Sequence, residues 1–263
     1  MNFLIVAMAR TGSSHLVNML SGHPEIFCHG NVFGKQMLPL FYPKDQQPPK
    51  EELRAQKAQL RKLRAGNPRA FLDKVLATGH GRPHVGFKVF RGQNDSLVKE
   101  LLGDSSIRKI ILFRSNVLAN YSSRLVARKT GKWDAKKGQI APPPPKVAFV
   151  ENEFIEFHDS YISYYDEIMK ATLLNSEPFF VIQYEELNNQ VFTANLIRFI
   201  GADANKPIKS EVQRREQVKQ NSSDIVARFS NRAEVEAFLR KQGLEHWQQE
   251  GEVSLVPIGD TGR

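Results

Sequence analysis

The chain alternates short apolar runs with longer stretches in which apolar residues recur every three or four positions. Residues 3–9, 85–90, 107–113 and 179–184 are short and rich in branched or aromatic side chains, and each reads as a strand. Helical spacing occupies 13–20, 96–102, 117–130, 152–174 and 190–200, the last closed by Gly201 as a stop signal. Strands that alternate with helices predict an α/β fold, a parallel sheet flanked by helices on both faces. A single domain over 1–263 is expected, with variable insertions near 34–84 and 134–153.

Two segments break the alternation. Residues 44–69 form a polar, mostly basic pattern framed by Pro48-Pro49 and Gly66-Asn67-Pro68, with leucines at 53, 60 and 63, and read as a solvated surface helix ahead of the alternative, a lid that grips an acidic acceptor. Residues 134–146 carry Lys136-Lys137-Gly138 and the prolines 142–145, which cannot pair in a sheet and predict an extended, mobile loop on the substrate side.

The chemistry concentrates where strands end. After the first apolar run comes Arg10-Thr11-Gly12-Ser13-Ser14, and then a helix. That order gathers free backbone N–H groups, the positive end of a helix dipole, two hydroxyls and a guanidinium around one point, as a phosphate or sulfate cradle does. The nucleotide-triphosphate loop needs a lysine before its Ser/Thr; here Ser14-His15 stands instead. A second strand end repeats the format, with Arg114-Ser115-Asn116 followed by a helix carrying Ser122. Arg114 and Ser122 are eight positions apart, a spacing that a strand end and two helical turns can bring toward one phosphate. Two such ends call for a ligand with two separated phosphate-like groups.

Composition narrows the setting. A net charge of +9 favours anionic partners without choosing among them. One cysteine, Cys28, excludes an internal disulfide framework and a multi-cysteine metal site, and reads as a small buried residue in a reducing compartment. Residues 3–9 are too short to span a bilayer and lack signal-peptide flanks, so the expectation is a cytoplasmic enzyme with no stable membrane insertion.

These residues resemble a known family. "RTGSSHLVNMLSGHPEIFCHGNVF" is similar to the 5′-phosphosulfate loop and following segment of sulfotransferases that use 3′-phosphoadenosine 5′-phosphosulfate (PAPS), especially bacterial ones related to lipopolysaccharide, Nod-factor and tyrosylprotein types. "ILFRSNVLANYSSRLVARKTGKW" resembles their 3′-phosphate segment, and "VIQYEELNNQ" the segment after a core strand. The resemblance implies that Arg10, Gly12, Ser13 and Ser14, with Thr11 and His15 in the same loop, bind the 5′-phosphosulfate end. It gives Arg114 and Ser122 to the 3′-phosphate and Tyr184 to the neighbourhood of the adenine. Lys88, in "GFKVF", stands where the tyrosylprotein relatives carry a lysine that supports the transferring sulfuryl group. The implied donor is PAPS, the product PAP, the acceptor a hydroxyl of a carbohydrate, lipid, small molecule or tyrosyl group, and no metal is required.

The chain departs from that family at one position. Asn31 stands where the family has its general-base glutamate, and an amide cannot take the acceptor's proton. His29 is the substitute nearest in sequence, read as a loop histidine. Glu25 is expected to face away from the donor, Trp133 to pack, and Lys219-Gln220-Asn221 to be solvated. The rival enzyme reading is a small-molecule or nucleotide kinase, which needs the missing lysine; a rival of another class is a basic nucleic-acid-binding module, against which stand scattered basic residues and no reading motif.

Overall fold

The computed structural model describes residues 1–34, 48–133, 143–209 and 222–251. Five apolar segments form parallel strands: β1 (Asn2–Ala7), β2 (Ile26–Asn31), β3 (His84–Phe90), β4 (Ile107–Phe113) and β5 (Phe179–Gln183). They hydrogen-bond in the order β2-β3-β1-β4-β5, with β1 at the centre between β3 and β4. The chain therefore passes from β1 to the edge strand β2, returns inward through β3, and then crosses to β4 and β5 on the other side, and the switch point lies between β1 and β4. In open parallel sheets ligands bind outside the carboxyl ends of the strands at such a point.

Side-chain alternation divides the core into two faces. Leu4, Val6, Phe87, Val89 and Ile111 pack against α3 (Pro68–Leu76), α4 (Asp95–Leu102), α5 (Val117–Thr130) and α6 (Glu151–Leu174). Phe3, Ile5, Ala7, Ile110, Leu112 and Ile182 pack against α1 (Ser13–Ser21) and α7 (Gln190–Ile200). Cys28 lies buried on this second face, where loss of water pushes its thiol up to about 12.

Three elements depart from the expectations. β2 was not anticipated, because "IFCHGN" is short and polar at its end. It is an edge strand that leaves register between Cys28 and Asn31, at the bulge where Gly30 takes φ 71°. The basic helix α2 (Lys50–Gly66) is shorter than expected and buries Leu60, and a second helix, α3, follows at once. Pro68 reads as a breaker, yet proline suits the first helical turn, and Asn67 caps it by accepting from the Ala70 N–H at 3.0 Å. The helix α8 (Arg232–Lys241) also went unread.

Among the described residues no helix is long and apolar enough to cross a membrane. The expectations for Lys136-Lys137-Gly138 and Lys219-Gln220-Asn221 fall outside the described residues.

Candidate active site

The first strand-end turn is held from within. Thr11 is fully buried and donates to the Met8 carbonyl at 2.8 Å, so its hydroxyl braces the turn instead of facing a ligand. Asn120 on α5 donates to the Ala9 carbonyl at 3.1 Å. Arg10 and Gly12 both take left-handed backbone, with φ 71° and 82°. At Gly12 a Cβ would stand 2.6 Å from side-chain carbons of Leu187 and Tyr184, so glycine is required by packing as well as by φ. The Arg10 conformation is costly for a residue with a Cβ and persists because its side chain is tied down: Nε donates to Ser123 Oγ at 2.9 Å and Nη1 to the Trp133 carbonyl.

α1 starts at Ser13, and no side chain caps its first N–H groups. Those donors and the dipole's positive end stay with the turn. Lys88 reaches them from β3. Its Nζ donates to Ser13 Oγ at 3.2 Å and Ser14 Oγ at 2.9 Å, and the residue is only 6% exposed. A nearly dry ammonium, two hydroxyls and a helix start in one place make a strong anion cradle. A lysine thus reaches the turn from a neighbouring strand, not from the position before the hydroxyl that a nucleotide-triphosphate loop uses.

The second strand end lies across the switch point. Arg114 is 4% exposed, its guanidinium sits 4.3 Å from the centre of the Tyr184 ring, and it pairs with Glu250. Its Nε has no hydrogen-bond partner among the described residues. Ser122 on α5 is fully buried, donates to the Ala119 carbonyl at 3.0 Å and accepts from Arg228 Nη1 at 3.2 Å. Arg228 pairs with the same Glu250 oxygen as Arg114, which draws Arg114, Ser122 and Arg228 into one cluster. Burial acts to raise the Glu250 pKa, but Arg114 and Arg228 outweigh it and hold the carboxylate below its usual range. Glu185 beside them is pushed up by burial.

One helix ties both ends together. Tyr165 OH accepts from the Met8 N–H at 2.9 Å and donates to the Leu112 carbonyl at 2.8 Å. Tyr161 OH, one turn earlier on α6, accepts from the Arg114 N–H at 2.8 Å and donates to the Arg114 carbonyl at 3.0 Å.

The remaining expected residues divide. Tyr184 lies between the two ends, against Gly12 and beneath Arg114. Asn31 is the register partner of Lys88 on β2. His15 turns instead to Asn188, with Nε2 and Oδ1 3.1 Å apart. His29 is in a strand, not a loop, and is 1% exposed. Its Nε2 donates to the Thr78 carbonyl at 2.9 Å, and burial lowers its pKa to about 4. It sits beyond α3, away from the Lys88 cluster, because strand alternation sends it to the opposite face from Cys28. Glu25 precedes β2 at the other end of the sheet and pairs with Lys206, as expected of a residue facing away. Trp133 does not pack as expected: it is 45% exposed and engages Arg10 through its carbonyl. Tyr161, Tyr165, Arg228 and Glu250 went unread; the only signal for the tyrosines is two hydroxyls four residues apart on a buried helix face.

Comparison with known proteins follows the same lines. No protein-family model matches the chain. Nodulation protein H of Rhizobium meliloti strain 1021 is 24% identical over 240 residues, covering 87% of this chain and 91% of that protein. Nodulation protein H of Rhizobium tropici is 26% identical over 220 residues, covering 81% of each. The similarity to these relatives extends over most of both chains. A sulfotransferase crystal structure from Alicyclobacillus acidocaldarius aligns over 95% of this chain and 99% of its own, with 16% identity and a TM-score of 0.48. The Arg10 turn and the Arg114 cluster stand at the ends of adjacent strands β1 and β4, with Lys88 reaching the first from β3.

Proposed function

We propose that this protein transfers a sulfuryl group from PAPS to a hydroxyl acceptor. The observation that carries the reading is the Lys88 ammonium on the Ser13 and Ser14 hydroxyls, facing the switch point whose other side holds Arg114. Two features of the residues support the fit to this donor. Gly12 leaves a cradle that a Cβ would fill, and the Arg114 cluster already holds a carboxylate oxygen where an anion belongs.

The donor supplies an activated sulfuryl group, which passes to the acceptor oxygen while the bond to the 5′-phosphate breaks and its electron pair leaves with PAP. The chain's residues act on the charge. Arg10, the Ser13 and Ser14 donors and the α1 N–H groups would hold the 5′ end, and Lys88 would stabilise the charge that grows on the leaving oxygen. Arg114 and Ser122 would hold the 3′-phosphate. The acceptor's proton has no carboxylate to go to at position 31, so the native chain is expected to bind well and turn over slowly. A kinase reading lacks its loop lysine, the residue that reaches the β- and γ-phosphates.

The test is to supply labelled PAPS and a panel of hydroxyl acceptors and to follow sulfate-ester formation, with PAP binding measured by thermal shift with and without Mg²⁺. Stabilisation by PAP that is indifferent to Mg²⁺ supports the reading. Stabilisation by ATP with Mg²⁺ and none by PAP would replace it with the kinase.

A further inference from the structure

Glu250 deserves a role of its own, because its carboxylate sits where the Arg114 cluster would take an anion. One oxygen of Glu250 pairs with both Arg114 and Arg228, and Arg228 in turn donates to Ser122. Both guanidiniums are at least nine-tenths buried, so neither charge is dissipated in water. Arg114 Nε still has no partner among the described residues, which shows that the carboxylate leaves part of the cluster's donor capacity unused.

The cluster has little charge to spare. Arg114 and Arg228 carry two positive charges, the Glu250 carboxylate already offsets one of them, and Tyr184 presents a ring face. A phosphate dianion added to this set would leave an excess of buried negative charge, which low-dielectric surroundings penalise heavily. Its entry therefore requires a carboxylate to withdraw. The Glu250 backbone is held elsewhere, with its N–H donating to the Ser223 carbonyl at 2.9 Å and the Gln248 carbonyl accepting from the Ile225 N–H at 2.8 Å, so withdrawal falls to the side chain.

Resting on the PAPS reading, we propose that Glu250 is a resident competitor for the 3′-phosphate, holding Arg114 and Arg228 together in the empty protein and swinging out when the nucleotide binds. Arg228 then becomes a second arginine on that phosphate. The device keeps two buried like charges compensated when no donor is present, and it lowers affinity for PAP by the amount needed to break the ion pairs.

The experiment compares the parent with Glu250→Gln by calorimetry against PAP and against adenosine 5′-phosphosulfate, which lacks the 3′-phosphate. Glu250→Gln is expected to bind PAP roughly tenfold tighter or more, the equivalent of one charge-assisted contact no longer broken, with adenosine 5′-phosphosulfate unchanged. The empty variant should melt at lower temperature than the parent yet gain more from PAP. If the glutamine protein does not fold, Glu250→Asp retains the charge and withdraws it by one methylene, and is expected to tighten PAP by a smaller factor. PAP binding that is unchanged or weaker in a folded variant, while adenosine 5′-phosphosulfate binds normally, overturns the inference alone. Failure of both nucleotides to bind the parent and the variants overturns the donor reading, and the inference with it.

Discussion

Asn31 and Lys88 are register partners on adjacent parallel strands, so their side chains leave the same face of the sheet beside the Ser13–Ser14 turn. Asn31 Oδ1 is buried and has no hydrogen-bond partner among the described residues. A carboxylate at this position would stand next to the cradle, ready to accept a proton. Asn31→Glu is expected to raise sulfuryl transfer by on the order of 10²–10⁴ with PAP affinity little changed, the usual worth of a positioned base. Steady-state rates with saturating donor check it; equal rates in parent and variant would put the base elsewhere.

Lys88 is assigned to charge that develops during transfer. Lys88→Ala should therefore lower kcat far more than it weakens PAP binding. Parallel measurement of turnover and of the PAP dissociation constant decides the matter, and loss of binding with kcat intact would make Lys88 a ground-state anchor.

Arg114 is held at its backbone by Tyr161 and at its side chain by Glu250, so truncation leaves the strand end in place. Arg114→Ala is expected to weaken PAP by about 1.5–3 kcal/mol, the range for a hydrogen bond to a charged group. Adenosine 5′-phosphosulfate should lose little. Equal losses for the two ligands would remove Arg114 from the 3′ end.

His29 supplies a pH dependence. Its pKa falls from 6.5 in the unfolded chain to about 4 in the fold, mainly through burial. Above 6.5 both states are neutral and the residue costs nothing. As pH drops from 6.5 toward 4 the unfolded chain takes up the proton first, so stability declines by on the order of 3 kcal/mol across that window. Urea titrations at several pH values should show this slope flattened in His29→Gln, and an identical slope in both proteins would mean that other groups carry it.

How much of this was legible depended on local chemistry. Strands β1, β3, β4 and β5 are apolar on both faces and announce themselves, and the Arg10 and Arg114 turns follow directly from strand ends meeting helix starts. β2 did not, since an edge strand needs less apolar surface and its bulge at Gly30 interrupts the period. Ser122 was found by spacing, but its partner Arg228 lies 106 residues away, and nothing in "VAR" marks it. Glu250 was invisible for the same reason: an ion pair across 136 residues leaves no periodic trace. His29 was misread because a histidine beside glycine resembles a loop, whereas alternation along β2 carries it into the interior.

Tyr161 and Tyr165 give α6 the character of a gauge. Tyr165 bridges the ends of β1 and β4, and Tyr161 one turn away clasps Arg114, so the separation of the Arg10 and Arg114 turns is fixed by a rigid helix together with the sheet and not by the loops themselves. If the proposed donor binds here, it would then be chosen by its length. When one end group is missing, the frame does not contract to meet what is left, and the affinity lost at that end is not recovered at the other.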